Sequence, residues 1–340
     1  MIRPIWATVR KIEGLPIAAV LATLYGVFMV TSPEVFTGHR IYMSFLQTVP
    51  PMLVLGLGLT FVITAGEIDL SFSAVVAFSG FVYAWTFLHS GSALLALVLA
   101  LAAGAFVGFV NGILVAKIGV PSIMATLAAQ FFWAGLTVLL AGGASWNIKG
   151  IEGSWIQTLF VGRLFGSVAL PAQALWALGL TVVCWFLLNR HRFGEAVMFV
   201  GDNPNVARVM GINVERTKIK LFTLNGLLGG FAAVLLTTEM NTFWTTQGEG
   251  YLLPVMAAVF IGGTSIAGGK GLIVGTFFGA YIIGSLEAGV VATGIGGYWT
   301  QLVSGLVMGA SVILNIVIGD GRLAAVASRV RHWSTTAEEN

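Results

Sequence analysis

Two carboxylates at the junction between two long apolar segments are the residues best placed to contact a polar solute. Glu67 and Asp69 occupy this junction. Ionisable residues at membrane depth are costly and usually functional, so this pair is a candidate to hydrogen-bond solute hydroxyls in a pore. The alternative is a local role, because Asp69 or Ser71 could cap the helix that begins near Phe72.

Further polar side chains lie inside otherwise apolar segments, and three of them are candidates for the same path: Asn111, Gln130 and Asn225. Each could line a translocation path together with Glu67 and Asp69. Each could equally bond across helices, an interaction worth about 1 kcal/mol in model membrane systems. The sequence leaves both interpretations open for all of them.

Residue patterns for catalysis, metal binding or nucleotide binding are missing from the sequence. The nearest match to the phosphate-binding pattern G-x-x-x-x-G-K-[ST] ends at Gly269–Lys270, with Thr264 in place of the first glycine and Gly271 in place of Ser or Thr. His, Cys, Asp and Glu residues show no metal-ligand spacing. We therefore expect a transport subunit that binds no cofactor and takes its energy from a separate subunit or an ion gradient.

The composition indicates that lipid covers most of the protein surface. Hydrophobic residues make up 57% of the 340-residue chain, charged residues only 9%, and the mean hydropathy is +0.93. A soluble domain carries about 25% charged residues. Because lipid cannot satisfy an open backbone, the apolar segments should be helices. We predict one all-α transmembrane domain, 1–340, with about ten spans at 15–32, 45–65, 71–88, 93–115, 122–142, 171–188, 218–238, 251–267, 271–292 and 298–318.

The distribution of basic residues orients these predicted spans. With the N-terminus in the cytoplasm, only Arg40, Lys149 and Arg163 of the 17 Lys and Arg residues fall outside. This bias predicts that both termini are cytoplasmic. It also places the long loop 143–170 outside and the long loop 189–217 inside. The first apolar segment is interpreted as a retained span, and 251–267, with its paired glycines, could be re-entrant instead.

The inner loop contains a short helix with signals at both ends. Asn203 can cap a helix, Pro204 suits the first helical position, and Gly211 suits a left-handed end. Such a short helix is marginal alone, so we expect another protein to pack against it. The alternative is a basic loop that lies on the membrane surface.

Four segments, in order, resemble the motifs of sugar-importing, ribose-type ABC permeases. They are Gly66–Glu67–Ile68–Asp69–Leu70–Ser71; Asn111–Gly112 with Val120–Pro121 and Thr126–Leu127; the loop from Gly194–Glu195–Ala196 to Gly211–Ile212–Asn213–Val214; and Ile261–Gly262–Gly263–Thr264–Ser265 with Gly268–Gly269–Lys270–Gly271. The resemblance covers roughly residues 15 to 318. It departs from the family at Glu67, where a second glycine usually stands.

The resemblance implies a multi-pass protein of the bacterial inner membrane with several partners. A second copy or a sibling permease would complete the pore, partner ATPase subunits would hold ATP and Mg, and a periplasmic binding protein would deliver a sugar-like solute. No nucleic-acid partner is expected, and lipid surrounds the chain. The residues that couple to the ATPase would be Asp202, Asn203, Pro204, Ala207, Arg208, Met210 and Gly211.

Two alternatives remain open at this point. The same architecture could carry a nucleoside, an autoinducer-type furanose or a branched-chain amino acid. An ion-coupled secondary transporter would need no docking helix and would place its ionisable residues at mid-membrane.

Overall fold

The computed structural model describes residues 14–166 and 169–292, with a few positions between 299 and 309. Its helices are α1 Leu15–Thr31, α2 Pro33–Phe36, α3 His39–Thr48, α4 Pro50–Thr64, α5 Phe72–Ser90, α6 Ala93–Ile113, α7 Ser122–Ala141, α8 Trp155–Phe160, α9 Ala172–Asn189, α10 Arg192–Asp202, α11 Pro204–Val209, α12 Val214–Glu239, α13 Leu252–Ile261 and α14 Ile273–Ala292. A π-helical turn, Leu114–Ile118, extends α6. The predicted span 298–318 lies largely outside the described residues.

The chain is an all-α polytopic membrane protein. Among the described residues, six helices are long and apolar enough to cross a membrane, namely α5, α6 with its π-helical turn, α7, α9, α12 and α14. The pair α3 and α4 makes a seventh if counted as one span, with a bend of 48° between them. Pro50 begins α4, and its ring cannot continue the hydrogen-bond ladder of α3. The predicted span 45–65 is therefore a bent pair of helices.

Helix α4 is the centre of the bundle, and all of its 15 residues are buried. The hydroxyl groups of its threonines form hydrogen bonds within the protein. The Thr60 hydroxyl bonds the Gly56 carbonyl at 2.8 Å and the Thr276 hydroxyl of α14 at 2.8 Å. A helix that is apolar on every side and surrounded by other helices needs no lipid-facing or water-facing stripe.

Helices α6 and α12 cross at a distance that only glycine allows. A Cβ on Gly108 would lie 2.9 Å from the Phe222 carbonyl carbon, and one on Gly104 would lie 2.9 Å from the Gly230 nitrogen. Small residues bring helix backbones together in membranes, where packing rather than the hydrophobic effect drives association. These glycines hold α6 and α12 together as a rigid pair.

Two short strand pairs lie in the segments between helices. Strand β1, Trp146–Asn147, pairs antiparallel with β4, Thr242–Phe243. Strand β2, Arg163–Leu164, pairs antiparallel with β3, Leu170–Pro171. The first pairing ties the loop after α7 to the segment after α12, while the second lies within the loop before α9.

The predicted span 251–267 contains a helix of only 10 residues, α13. Gly262 follows the helix, and Gly263 has a left-handed φ of 89°. A loop then runs to α14, closed by a bond from the Ser265 amide to the Lys270 carbonyl at 3.0 Å. The glycines end the helix well before the predicted boundary.

Candidate functional site

The inner loop folds into two helices, of which the second agrees with the sequence prediction. The Asn203 side chain accepts bonds from the Asn205 and Val206 amides at 2.9 and 3.2 Å. Pro204 is the first helical residue of α11. Gly211 has a φ of 82°, and the Ile212 amide bonds the Ala207 carbonyl at 3.0 Å to close the C-terminal end.

Helix α11 presents apolar side chains to the surface. Ala207 is fully buried and anchors the helix to the protein. Val206, Val209 and Met210 are 50%, 90% and 57% exposed. Arg208 extends beside them, 3.9 Å from the Glu215 carboxylate. An exposed apolar patch with a charged edge is typical of a protein interaction site.

Helix α10, which precedes α11, was not predicted from the sequence. His191 caps it by accepting from the Phe193 amide at 3.1 Å. Asp202 is its last residue, directly before the Asn203 cap. The helix packs its buried Gly194, Val197 and Val200 inward, so it fixes α11 to the bundle. A histidine cap followed by apolar residues at helical spacing was the available signal.

Four glycines join this loop to the bundle in what we call the glycine junction: Gly66, Gly201, Gly268 and Gly269. A Cβ on Gly201 would overlap the Thr64 carbonyl oxygen and lie 2.7 Å from the Gly269 nitrogen. The Gly269 amide bonds that same Thr64 carbonyl at 2.8 Å. Backbone therefore packs directly on backbone where the ends of α4 and α10 meet the α13–α14 loop.

Three of the five candidate path residues form one buried network. The Asp69 carboxylate accepts from the Ser71 amide at 2.8 Å, the Ser71 hydroxyl at 2.6 Å and the Asn225 amide at 2.9 Å. The Asn111 amide donates to the Ser71 hydroxyl at 2.7 Å. Asp69, Asn111 and Asn225 are 2%, 0% and 1% exposed. The network ties the segment before α5 to α6 and α12. Its Asp69–Ser71 bonds are local, while the side chain of Ser71, the N-cap residue of α5, forms no cap hydrogen bond.

The other two candidates lie apart from this network. The Gln130 side-chain oxygen accepts from the Ser73 hydroxyl at 2.9 Å and the Ala74 amide at 3.0 Å, which satisfies donors in the first turn of α5. Glu67 forms an ion pair with Lys218 at the start of α12. The carboxylate that departs from the family pattern therefore has a basic partner. Glu67 and Lys218 line a cavity of about 310 Å³ that Arg208 also lines.

A second polar cluster, which the sequence reasoning missed, joins the ends of three helices. Glu239, the last residue of α12, accepts from the side-chain amides of Gln47 and Gln173, the latter at 2.7 Å. Arg163 donates to the Gln47 side-chain oxygen at 3.2 Å. The available signal was a polar residue at the same end of three apolar segments. These contacts close one end of the bundle.

Within the described residues, no group of three or more His, Cys, Asp or Glu side chains could hold a metal ion. The charged side chains of the inner loop and the start of α12 form two ion pairs, Arg208–Glu215 and Lys218–Glu67. What the geometry offers is an exposed apolar helix that is joined through backbone contacts to the centre of a membrane bundle.

Comparison with known proteins assigns this arrangement to a family. Residues 41–312 match the family model described as branched-chain amino acid transport system / permease component. The ribose import permease protein RbsC of Escherichia coli strain K12 is 34% identical over 87% of this chain and 91% of its own length. The RbsC of Bacillus subtilis strain 168 is 34% identical over 77% of this chain and 80% of its own length.

A further relative has a different named solute. The autoinducer 2 import system permease protein LsrC of Yersinia pestis strain Pestoides F is 29% identical over 93% of this chain and 87% of its own length. Among solved structures, PsaBC from Streptococcus pneumoniae in complex with Fab aligns with a TM-score of 0.44 at 14% identity, covering 86% of this chain and 94% of its own, a similarity too low to establish a shared fold. The chain therefore belongs to the branched-chain amino acid transport system / permease component family, as a ribose-type ABC importer permease of the bacterial inner membrane and a transport subunit rather than an enzyme.

Proposed function

We propose that this chain forms the membrane pathway of an importer for a sugar or sugar-like solute, driven by a separate ATPase subunit. The observation that carries the proposal is α11, a capped helix with Val206, Val209 and Met210 exposed and Ala207 buried. A short apolar helix at a surface needs a partner to cover it. The relatives that import ribose and autoinducer 2 support a hydroxylated solute.

The proposed partners follow from the family. ATPase subunits that hold ATP and Mg would grip the residues Asp202, Asn203, Pro204, Ala207, Arg208, Met210 and Gly211. A periplasmic binding protein would deliver the solute to the opposite face, and a second copy or a sibling permease would complete the pore. Lipid surrounds the assembly. Nucleotide-driven movement of α11 would shift the population between inward-open and outward-open states.

The glycine junction supplies the mechanical part of this proposal. Packed cores are bistable rather than continuously deformable, so a small displacement at one contact becomes a discrete rearrangement. Gly201 lies against the Thr64 carbonyl and the Gly269 amide without intervening side chains. A displacement of α11 would therefore pass through α10 to α4 and to the α13–α14 loop.

The proposed topology has about ten crossings with both termini in the cytoplasm. Helix α1, an apolar helix of 17 residues, and the segment from Glu249 to Ile261 supplement the longer helices. The region 298–318 would complete the set. The basic-residue bias supports this orientation, since Arg208, Lys218 and Lys270 then lie on the cytoplasmic side.

The proposal can be tested through Val209, which is 90% exposed on α11. Val209→Asp places a charge in the docking surface, and we expect the ATPase to co-purify poorly and ATP-driven ribose uptake into proteoliposomes to fall at least tenfold. Val209→Leu keeps the surface apolar and should retain both. Normal assembly and uptake in Val209→Asp would contradict the docking role, and uptake driven by an ion gradient without ATPase would favour a secondary transporter.

A further inference from the structure

The chain between α12 and α13 leaves helical structure at the level of the membrane. After Glu239 it forms β4, Thr242–Phe243, and then has no regular structure until the 3-10 turn Glu249–Tyr251 that leads into α13. Strand β4 pairs with β1 in the loop that follows α7. The segment therefore starts at the bundle end where α7 and α12 finish.

The depth that this segment reaches can be traced through its contacts. A Cβ on Gly248 would overlap the Ser73 carbonyl oxygen and lie 2.7 Å from the Ser73 carbonyl carbon. The Ser73 hydroxyl in turn donates to Gln130, which lies near the middle of α7, a helix long enough to span the membrane. Gly248 is therefore about halfway across the bilayer.

Gln247 fixes the non-helical backbone at this depth. Its side-chain nitrogen donates to the Val76 carbonyl of α5 at 3.0 Å, and its side-chain oxygen accepts from the Thr237 hydroxyl of α12 at 3.3 Å. Non-helical backbone occurs at membrane depth only where protein buries it or where it lines a water-filled cavity. Discontinuous spanning helices are a recurrent feature of transporter binding sites.

The other side of the segment is open and carries a carboxylate. Gln247 and Gly248 are buried, whereas Thr246, Glu249 and Gly250 are exposed. A Cβ on Gly250 would meet no atom within 4 Å. In the described part of the chain, the ion pairs are Arg208–Glu215 and Lys218–Glu67, and neither includes Glu249.

A carboxylate that faces hydrocarbon at mid-membrane is costly, so such residues face a bundle interior or a water-filled cavity. We propose that residues 244–250 line the solute path at mid-membrane, where the Glu249 carboxylate and the Thr246 hydroxyl hydrogen-bond a neutral, polyhydroxylated solute. Two carboxylate oxygens can accept from two neighbouring solute hydroxyls, and a threonine hydroxyl both donates and accepts. This inference rests on the proposed import of a sugar-like solute and names residues that contact it.

The lone cysteine of the chain makes solvent access directly measurable. Cys184 is 2% exposed, so a Cys184→Ala background provides a clean chain for labelling. In this background Thr246→Cys should react with a small, charged, membrane-impermeant thiol reagent, and ribose with the binding protein should slow the reaction. Val182→Cys, 59% exposed near the middle of α9, is the matched control and should react only with a lipid-soluble maleimide. If Thr246→Cys also reacts only with the maleimide, the segment faces lipid and the proposal is overturned.

Uptake kinetics provide the second test. Glu249→Gln should lower ATP-driven ribose uptake about tenfold in the assembled transporter, while ATPase co-purification stays at the parent level. Glu249→Asp should recover part of the rate. The control is Glu152→Gln, which should leave uptake unchanged. Glu152 lies in the loop after α7, and its carboxylate accepts from the Asn241 side chain.

The outcomes separate the two proposals. Parent-level uptake in Glu249→Gln, in a transporter that remains ATP-driven, would refute the role of Glu249 and leave the importer intact. A parent protein with no ATP-driven uptake of any hydroxylated solute would instead refute the proposed function, whatever the labelling of Thr246→Cys shows.

Discussion

Removal of the Asp69 carboxylate tests whether the buried network holds the start of α5 in place. Three donors converge on this side chain: the Ser71 amide at 2.8 Å, the Ser71 hydroxyl at 2.6 Å and the Asn225 amide at 2.9 Å. Asp69 is 2% exposed, so water cannot replace it easily. Asp69→Ala leaves all three donors without an acceptor.

The expected cost follows from the number and type of these bonds. Hydrogen bonds to charged groups are worth about 1.5–3 kcal/mol each, and each buried donor left unsatisfied costs about 1–3 kcal/mol. We therefore expect Asp69→Ala to lower the free energy of unfolding by about 4 kcal/mol or more. Such a loss is large enough to reduce the yield of folded protein.

Asp69→Asn should cost far less, because its carbonyl oxygen can still accept both bonds from Ser71. Its amide nitrogen would face the Asn225 amide nitrogen, donor against donor. The Asn225 side-chain oxygen has no hydrogen-bond partner among the described residues, so a rotation of that amide can supply an acceptor. The remaining loss of stability, which comes from replacing a charged acceptor with a neutral one, is about 1–2 kcal/mol.

A double exchange is the matched control. In Asp69→Asn combined with Asn225→Asp, the asparagine carbonyl accepts from Ser71 and its amide donates to the new aspartate, so all three bonds are kept. Thermal unfolding of the purified transporter in nanodiscs should rank parent, double exchange, Asp69→Asn and Asp69→Ala in falling order. Parent-like unfolding of Asp69→Ala would refute the capping role. Loss of uptake in a stable double exchange would instead indicate that a carboxylate at position 69 acts on the solute.

Two further predictions concern the inner loop. Gly201→Ala places a methyl group against backbone that cannot yield, so we expect a loss of about 1–3 kcal/mol in stability and uncoupling of ATP hydrolysis from uptake. The control is Gly179→Ala, which should be neutral because nothing lies within 4 Å of the added methyl group. Equal behaviour of the two variants would contradict the role of the glycine junction. Asn203→Ala removes the cap of α11 and should cost about 1 kcal/mol locally, seen as faster amide exchange at Asn205 and Val206 with weaker ATPase binding. Unchanged exchange at both amides would show that the cap is dispensable.

The sequence determined the class of protein and the position of helix α11, because both depend on local signals. A charged fraction of 9% cannot cover a water-facing surface, whatever the packing. Asn203, Pro204 and Gly211 act on backbone within one or two turns, so their spacing alone predicts where α11 begins and ends. The family resemblance rests on motifs that can be read in the same way.

Tertiary structure decided which partners the polar residues in the apolar segments contact. Asp69, Asn111 and Asn225 are far apart in sequence and become one network only when α6 and α12 pack through their glycines. Gln130, a path candidate, accepts from the Ser73 hydroxyl and the Ala74 amide in the first turn of α5. No local pattern distinguishes a polar side chain that bonds a neighbouring helix from one that faces a pore.

The same limit explains why Glu249 and Gly201 escaped the sequence analysis. Glu249 lies in a stretch that resembles an ordinary connection between helices, and the proposed mid-membrane position rests on the contact of Gly248 with Ser73. Gly201 is one of 44 glycines in the chain, and its proximity to the Thr64 carbonyl depends on how α10 packs beneath α4. Depth and backbone proximity are distances between segments remote in the chain, so they exist only once the bundle has folded.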